Sequence, residues 1–146
     1  MKIYIASSWK NEKLVKDWAK KLSSQPYNHQ VDAFCDPSKG RHVFHFSEIG
    51  DPSELDAINF LADERSRRAF EEDKKWIDWA DVVLLVLPAG KSSHLEAGYA
   101  VGSGKKLIIW QEEYPKGEFD VMYGFADLVT ENVVSVFDFL IKMEKG

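Results

Sequence analysis

The sequence is poor in cysteine, in long apolar runs and in positive charge, and each shortage excludes something. Cys35 is the one cysteine among 146 residues, so no disulfide can form within the chain, which fits a reducing compartment. It lies in the strand-like run "VDAFCD", where a buried structural thiol is expected rather than a nucleophile. No apolar run approaches the ~18 residues of a membrane span. The opening "MKIYIASS" turns polar too early for a secretory signal, so a cytoplasmic protein without membrane contact is expected. Lys and Arg number 19 against 24 Asp and Glu, a net charge of -5. That balance argues against a broad basic surface for polymeric nucleic acid but leaves room for a small anionic ligand held locally. Repeats, low-complexity segments and interdomain linkers are also missing, so 1–146 reads as one domain with a single core.

What is present alternates between two periods. "KIYIAS", "VDAFCD", "DVVLLVLPA", "KLIIWQ" and "ADLVT" read as strands, and the third is apolar throughout, as a strand covered on both faces must be. Between them, "WKNEKLVKDWAKKL" repeats Leu14, Val15, Trp18 and Leu22 at helical spacing. "ERSRRAFEEDKKWIDWA", the stretch from Ser92 to Gly102, and "VVSVFDFLIKME" are the other helices. Strand–helix alternation with continuous apolar strands predicts an α/β domain. Its form is a flavodoxin- or Rossmann-like parallel sheet of about five strands with helices on both faces.

Residues 37–61 break the regularity. The segment is rich in turn formers yet carries Phe44, Phe46, Ile49, Leu55 and Phe60. So many apolar groups argue against disorder, and a long connection in a compact domain is commonly functional. An ordered lid or binding loop is expected, with His45, Ser47 and Glu48 of "HVFHFSEI" as ligand-reaching groups. The plainer alternative is a surface strand with its own small cluster.

Open parallel sheets bind ligands outside the carboxyl ends of their strands. Four loops meet there: "ASSW" with Ser7 and Trp9, the long segment, "AGKSSHLE", and "QEEYPKGEFDVMYG". The third carries Gly90, Ser92, Ser93, His94 and Glu96. Glu96 has two readings at this point. Ser93-His94-Leu95-Glu96 matches a capping box, in which the glutamate returns to the cap amide. Alternatively Glu96 is a reacting carboxylate near a helix start, kept ionised by the dipole. Gly102-Ser103-Gly104 is no dinucleotide fingerprint, because it ends a helix instead of opening one. Asp73 supplies a second carboxylate. It falls among Ala69, Phe70, Trp76, Ile77 and Ala80 on one helical face, where an acid is costly unless something satisfies it. It is either one half of an acid–base pair with Glu96 or bonded to a backbone amide or tryptophan N–H. Glu71, Glu72, Lys74, Lys75 and Asp78 read as solvated.

The segments "KIYIAS-SW", "FEEDKKWIDWADVVLLVLPAG" and "GKSSHLEAGYAVGSGK" together resemble the nucleoside 2-deoxyribosyltransferase superfamily, which includes the 2'-deoxynucleoside 5'-phosphate N-hydrolases. The resemblance spans the chain. It implies that Glu96 attacks the anomeric carbon of a sugar, that Asp73 serves leaving-group protonation and base contact, and that Tyr4 positions the glutamate. It implies no cofactor and no metal. Some members carry an aspartate or a phosphate-binding serine where this sequence has Gly90, which leaves that contact missing or passes it to Ser92 or Ser93. The transferases also place an asparagine of a neighbouring subunit near the sugar, whereas "MYGFADL" offers Asp127. The expected function is N-glycosidic bond cleavage or exchange on a nucleoside or nucleotide. An NAD-glycohydrolase and a non-catalytic nucleotide-binding module are the alternatives. The aromatic surplus, five Trp among it, and the family's habit of completing sites across subunits point to a dimer or larger homo-oligomer.

Overall fold

The computed structural model describes residues 1–36, 41 and 44–146. Five strands form one sheet: β1 (Lys2–Ser7), β2 (Gln30–Ala33), β3 (Val82–Val86), β4 (Lys106–Trp110) and β5 (Leu128–Thr130). Their order is β2-β1-β3-β4-β5, and every pairing is parallel. The helices are α1 (Glu12–Ser23), α2 (Ala57–Ala62), α3 (Glu64–Trp79), α4 (Lys91–Gly102) and α5 (Val133–Lys145).

The period of two along each strand sorts the side chains into two cores. Ile3, Ile5, Leu84 and Ile108 face one way and meet Val15, Trp18 and Leu22 of α1 with Val136, Phe137 and Leu140 of α5. Tyr4, Ala6, Val83, Leu85 and Ile109 face the other way and meet Ile77 of α3 with Ala97 and Ala100 of α4. β3 lies between β1 and β4, and all five of its residues are buried. An uninterrupted apolar run is the only sequence such a strand tolerates.

Local chemistry sets the element ends. The Asp63 carboxylate accepts from the Arg65 N–H at the start of α3, and Asn132 caps α5 through the Val134 N–H. After α4 the chain turns through Gly104 at φ 86°, a left-handed conformation that glycine adopts without a Cβ penalty.

Several boundaries differ from the periodicity. "VDAFCD" leaves the sheet after Ala33, so Cys35 sits in a turn, buried against the α1 side of the core. The first helical run opens with a separate 3-10 turn, Trp9–Asn11, capped by Ser8. Within 37–61, residues 37–40, 42 and 43 lie outside the described residues. "HFSEI" is not extended: Phe46–Glu48 form a 3-10 turn, followed by another at Pro52–Glu54 and then α2. Phe46 packs edge-on against Phe60 at 5.2 Å and lies 6.3 Å from Phe44, which gives the segment its own aromatic cluster. Phe70 is 63% exposed and does not belong to the inner face of α3. Among the described residues no helix is long and apolar enough to cross a membrane.

Candidate active site

Strand alternation decides what reaches the carboxyl end of the sheet on the α3–α4 side. Tyr4 points there between Ile3 and Ile5, which point away. β2 pairs in register with β1, so Asp32, opposite Tyr4, shares its face. α3 and α4 bring Asp73 and Glu96 over the same spot. Tyr4, Asp73 and Glu96 line one cleft of about 200 Å³, together with Ser7, Trp9, Arg41, Phe46, Glu72 and Ser92, while Asp32 lies buried beneath it.

Glu96 is not a cap. α4 begins at Lys91 with Gly90 at its N-cap and no side-chain capping bond, and Ser93 is buried within the first turn. The Glu96 carboxylate instead accepts a short hydrogen bond from the Tyr4 hydroxyl. The capping-box reading fails because the helix starts before Ser93. The dipole argument weakens for the same reason, since Glu96 lies in the second turn and the effect fades within the first. Burial governs its ionisation: desolvation, then the Asp73 charge, lifts its pKa to about 7 against the Tyr4 bond and Arg41. The Tyr4 phenol is pushed well above its ordinary value by burial and by the Glu96 and Asp73 charges, so it stays a donor.

Asp73 is raised by burial and held down by Arg41. Arg41 Nη2 donates to Asp73 Oδ1 at 2.9 Å, and its Nε lies 3.6 Å from Asp32 Oδ1. The partner of Asp73 is therefore a guanidinium, not a backbone amide or an indole. Arg41 and Asp32 are almost wholly withdrawn from solvent, at 3% and 0% side-chain exposure. Neither stood out in the sequence. Asp32 carried a signal, an acid at an inward strand position between Val31 and Ala33, whereas Arg41 lies in irregular chain without a period to betray it. Glu72 also differs from its solvated expectation: it lines the cleft, accepts from Trp76 Nε1 at 3.0 Å, and lies 3.8 Å from Arg41 Nη1.

The other expected residues divide into two groups. Ser7, Trp9 and Ser92 line the cleft. Ser7 Oγ donates to the Val86 carbonyl at 2.8 Å and accepts from Asn11 Nδ2 at 3.1 Å, tying β1 to β3. Trp9, 58% exposed, forms an outer wall. Gly90, Ser93, His94, His45, Ser47 and Glu48 lie off the lining. Among the described residues His45 meets the site through Trp9, edge to face with ring centroids 5.8 Å apart. Glu48 accepts from the His45 N–H at 2.8 Å and offers its carbonyl to Arg65. The exposed Ser47 lies inside that turn. The His94 ring spans the Gly90 carbonyl at 2.7 Å and the Tyr123 hydroxyl at 3.2 Å, holding the turn Val121–Phe125 against α4. Asp127 accepts from the Leu107 N–H at 2.9 Å and serves the sheet edge. Among the described residues no cluster of His, Cys, Asp and Glu is arranged to hold a metal ion.

No protein-family model matches the chain, and no curated protein matches it by sequence. Solved structures do match. A 2-deoxyribosyltransferase from Bacillus psychrosaccharolyticus superposes with a TM-score of 0.60 at 20% identity, covering 93% of this chain and 90% of the enzyme. The CMP N-glycosidase BcmB of Clostridium botulinum gives 0.55 at 14% identity, covering 96% and 98%. The chain has the fold of these two enzymes. At such identities the likeness is one of architecture, and the chemistry has to be argued from the cleft.

Proposed function

We propose that this chain belongs to the nucleoside 2-deoxyribosyltransferase superfamily and breaks the N-glycosidic bond of a nucleoside or nucleotide, with Glu96 as nucleophile. One observation carries the reading: a partly buried glutamate held by the Tyr4 hydroxyl opens into the same cleft as a second, half-exposed acid, Asp73.

Loss of a base from a sugar passes through an oxocarbenium-like state, which one carboxylate traps while another acid assists the leaving group. Here Glu96 supplies an ionised oxygen to the anomeric carbon. The C–N bonding pair leaves with the base, and Asp73 delivers a proton to it. Water, or the nitrogen of a second base, then displaces Glu96 from the sugar and gives its proton back to Asp73, which completes hydrolysis or exchange. The productive form needs Glu96 ionised and Asp73 protonated. Two partly buried carboxyls in one cleft titrate as a pair, and the raised pKa of Glu96 near 7 puts one shared proton within reach at neutral pH. Tyr4 steers that proton away from Glu96 by donating to it. Trp9 and Phe46 offer aromatic surface to a base, and Ser92 a hydroxyl to the sugar or a phosphate.

The protein is expected to work as a homodimer or larger assembly. Phe119, Val121, Met122 and Phe125 are each at least 60% exposed, on a segment that His94 holds against α4.

The test is to incubate the protein with deoxynucleosides, deoxynucleotides and NAD and to measure free base by chromatography. Base from the first two classes is the expected result. Release from NAD alone identifies an NAD-glycohydrolase, and no release from any leaves a binding module.

A further inference from the structure

Arg41 is buried at the edge of the cleft with acids on three sides. Asp32 lies behind it on β2, Asp73 before it on α3, and Glu72 beside Asp73 on the same helix. Burying a guanidinium is costly unless its donors are satisfied and its charge is balanced. Asp32, wholly buried and 3.6 Å away, provides a fixed counter-charge from the sheet, the most rigid part of the fold. Arg41 thus reaches Asp73 from an anchored position. From there its Nη2 donates to Oδ1 of Asp73 at 2.9 Å.

We propose that Arg41 is a positioning residue, braced by Asp32, that holds Asp73 in its working orientation and supplies the positive charge that lets Glu96 ionise. This rests on the N-glycosidase reading of Glu96 and Asp73 and adds to it a third element, the Asp32–Arg41 brace.

Among the described residues, the groups surrounding the carboxyl pair are the Tyr4 hydroxyl from β1, Asp32 from β2, Arg41 from the connection after β2, and Glu72 from α3. Arg41 is the cation among them. Its charge opposes the effect of burial on both Asp73 and Glu96, whereas Asp32 acts on Glu96 in the opposite sense. The two halves of the brace therefore have opposite electrostatic signatures.

Three variants read this out: Arg41→Met, Arg41→Lys and Asp32→Asn. Carbon-detected NMR follows the Glu96 carboxyl against pH in each, and base release from a deoxynucleoside is measured over the same range. In Arg41→Met the Glu96 titration and the acidic limb of the rate profile move to higher pH, and kcat falls about 100-fold as Asp73 loses its orientation. Arg41→Lys brings the limb back toward the wild-type position but recovers only part of kcat, because an ammonium keeps the charge without the planar fork. In Asp32→Asn the Glu96 titration moves to lower pH. General loosening of the fold cannot move one midpoint up and the other down. An unmoved Glu96 titration in folded Arg41→Met overturns the proposal. If that variant does not fold, an unmoved or upward-moving titration in Asp32→Asn overturns it. A wild-type protein that releases no base from any nucleoside ends the N-glycosidase reading alone, and the NMR titrations still decide the role of Arg41.

Discussion

The hydroxyl of Tyr4 donates to the carboxylate of Glu96 across 92 positions of sequence, joining the first strand of the sheet to the helix that follows its central strand. The bond has two consequences. It fixes the rotamer of a carboxylate that would otherwise be free to turn within the cleft, and it is part of what keeps that carboxylate from holding its proton to still higher pH.

Tyr4→Phe removes this bond at almost constant volume. Base release should fall about 10- to 100-fold, and the acidic limb of the rate profile should move upward, because the hydrogen bond favours the ionised form of Glu96. Stability should change by only about 1 kcal/mol, the usual net worth of one hydrogen bond. Steady-state kinetics against pH, with thermal melts as control, checks both.

Glu96→Gln keeps an acceptor for Tyr4 but cannot act as an anionic nucleophile. Base release should drop by orders of magnitude, roughly 10³-fold or more. A fully active variant would end the reading of Glu96.

The same substitution has a signed effect on stability. Folding raises the Glu96 pKa from 4.5 to about 7, so between those values the folded chain holds a proton that the unfolded chain has released. Stability from this group is greatest below the lower value and is lost as pH rises through the higher one. Glu96→Gln should therefore melt higher than the wild-type protein at pH 8, by on the order of 1–3 kcal/mol, and close to it at pH 4.5. Calorimetry at the two pH values reads the difference.

Trp9 forms an exposed wall of the cleft beside Phe46. Stacking of a base on an aromatic ring is worth about 1–3 kcal/mol, so Trp9→Ala should raise KM about tenfold while leaving kcat within a few-fold. An unchanged KM would take Trp9 out of base binding.

His94 lies outside the cleft and holds Tyr123. His94→Ala should raise amide exchange in 121–125 at nearly wild-type kcat. A loss of activity as large as that of Glu96→Gln would move His94 into the chemistry.

Much of this was legible in the chain itself. A short, Val-rich apolar run at 82–86 reads as a strand covered on both sides, and helical periods flanking it point to a parallel sheet. Cleft carboxylates showed up as violations of pattern: Asp73 is an acid on an inward helical face, and Glu96 follows the most buried strand. Both are local facts, readable because a helix and a strand each have a fixed period. The tertiary structure decided what those acids touch. A capping box was the better local explanation of Glu96 until the start of α4 at Lys91 placed Ser93 inside the helix and Tyr4 within reach of the carboxylate. Arg41 and Asp32 became partners because parallel register sets Asp32 opposite Tyr4 and Arg41 lies between it and Asp73 of α3. Hydrophobic periodicity specifies which side of an element faces inward. Which polar groups meet there depends on register, on helix start points and on the path of irregular chain, and none of these repeats along the sequence.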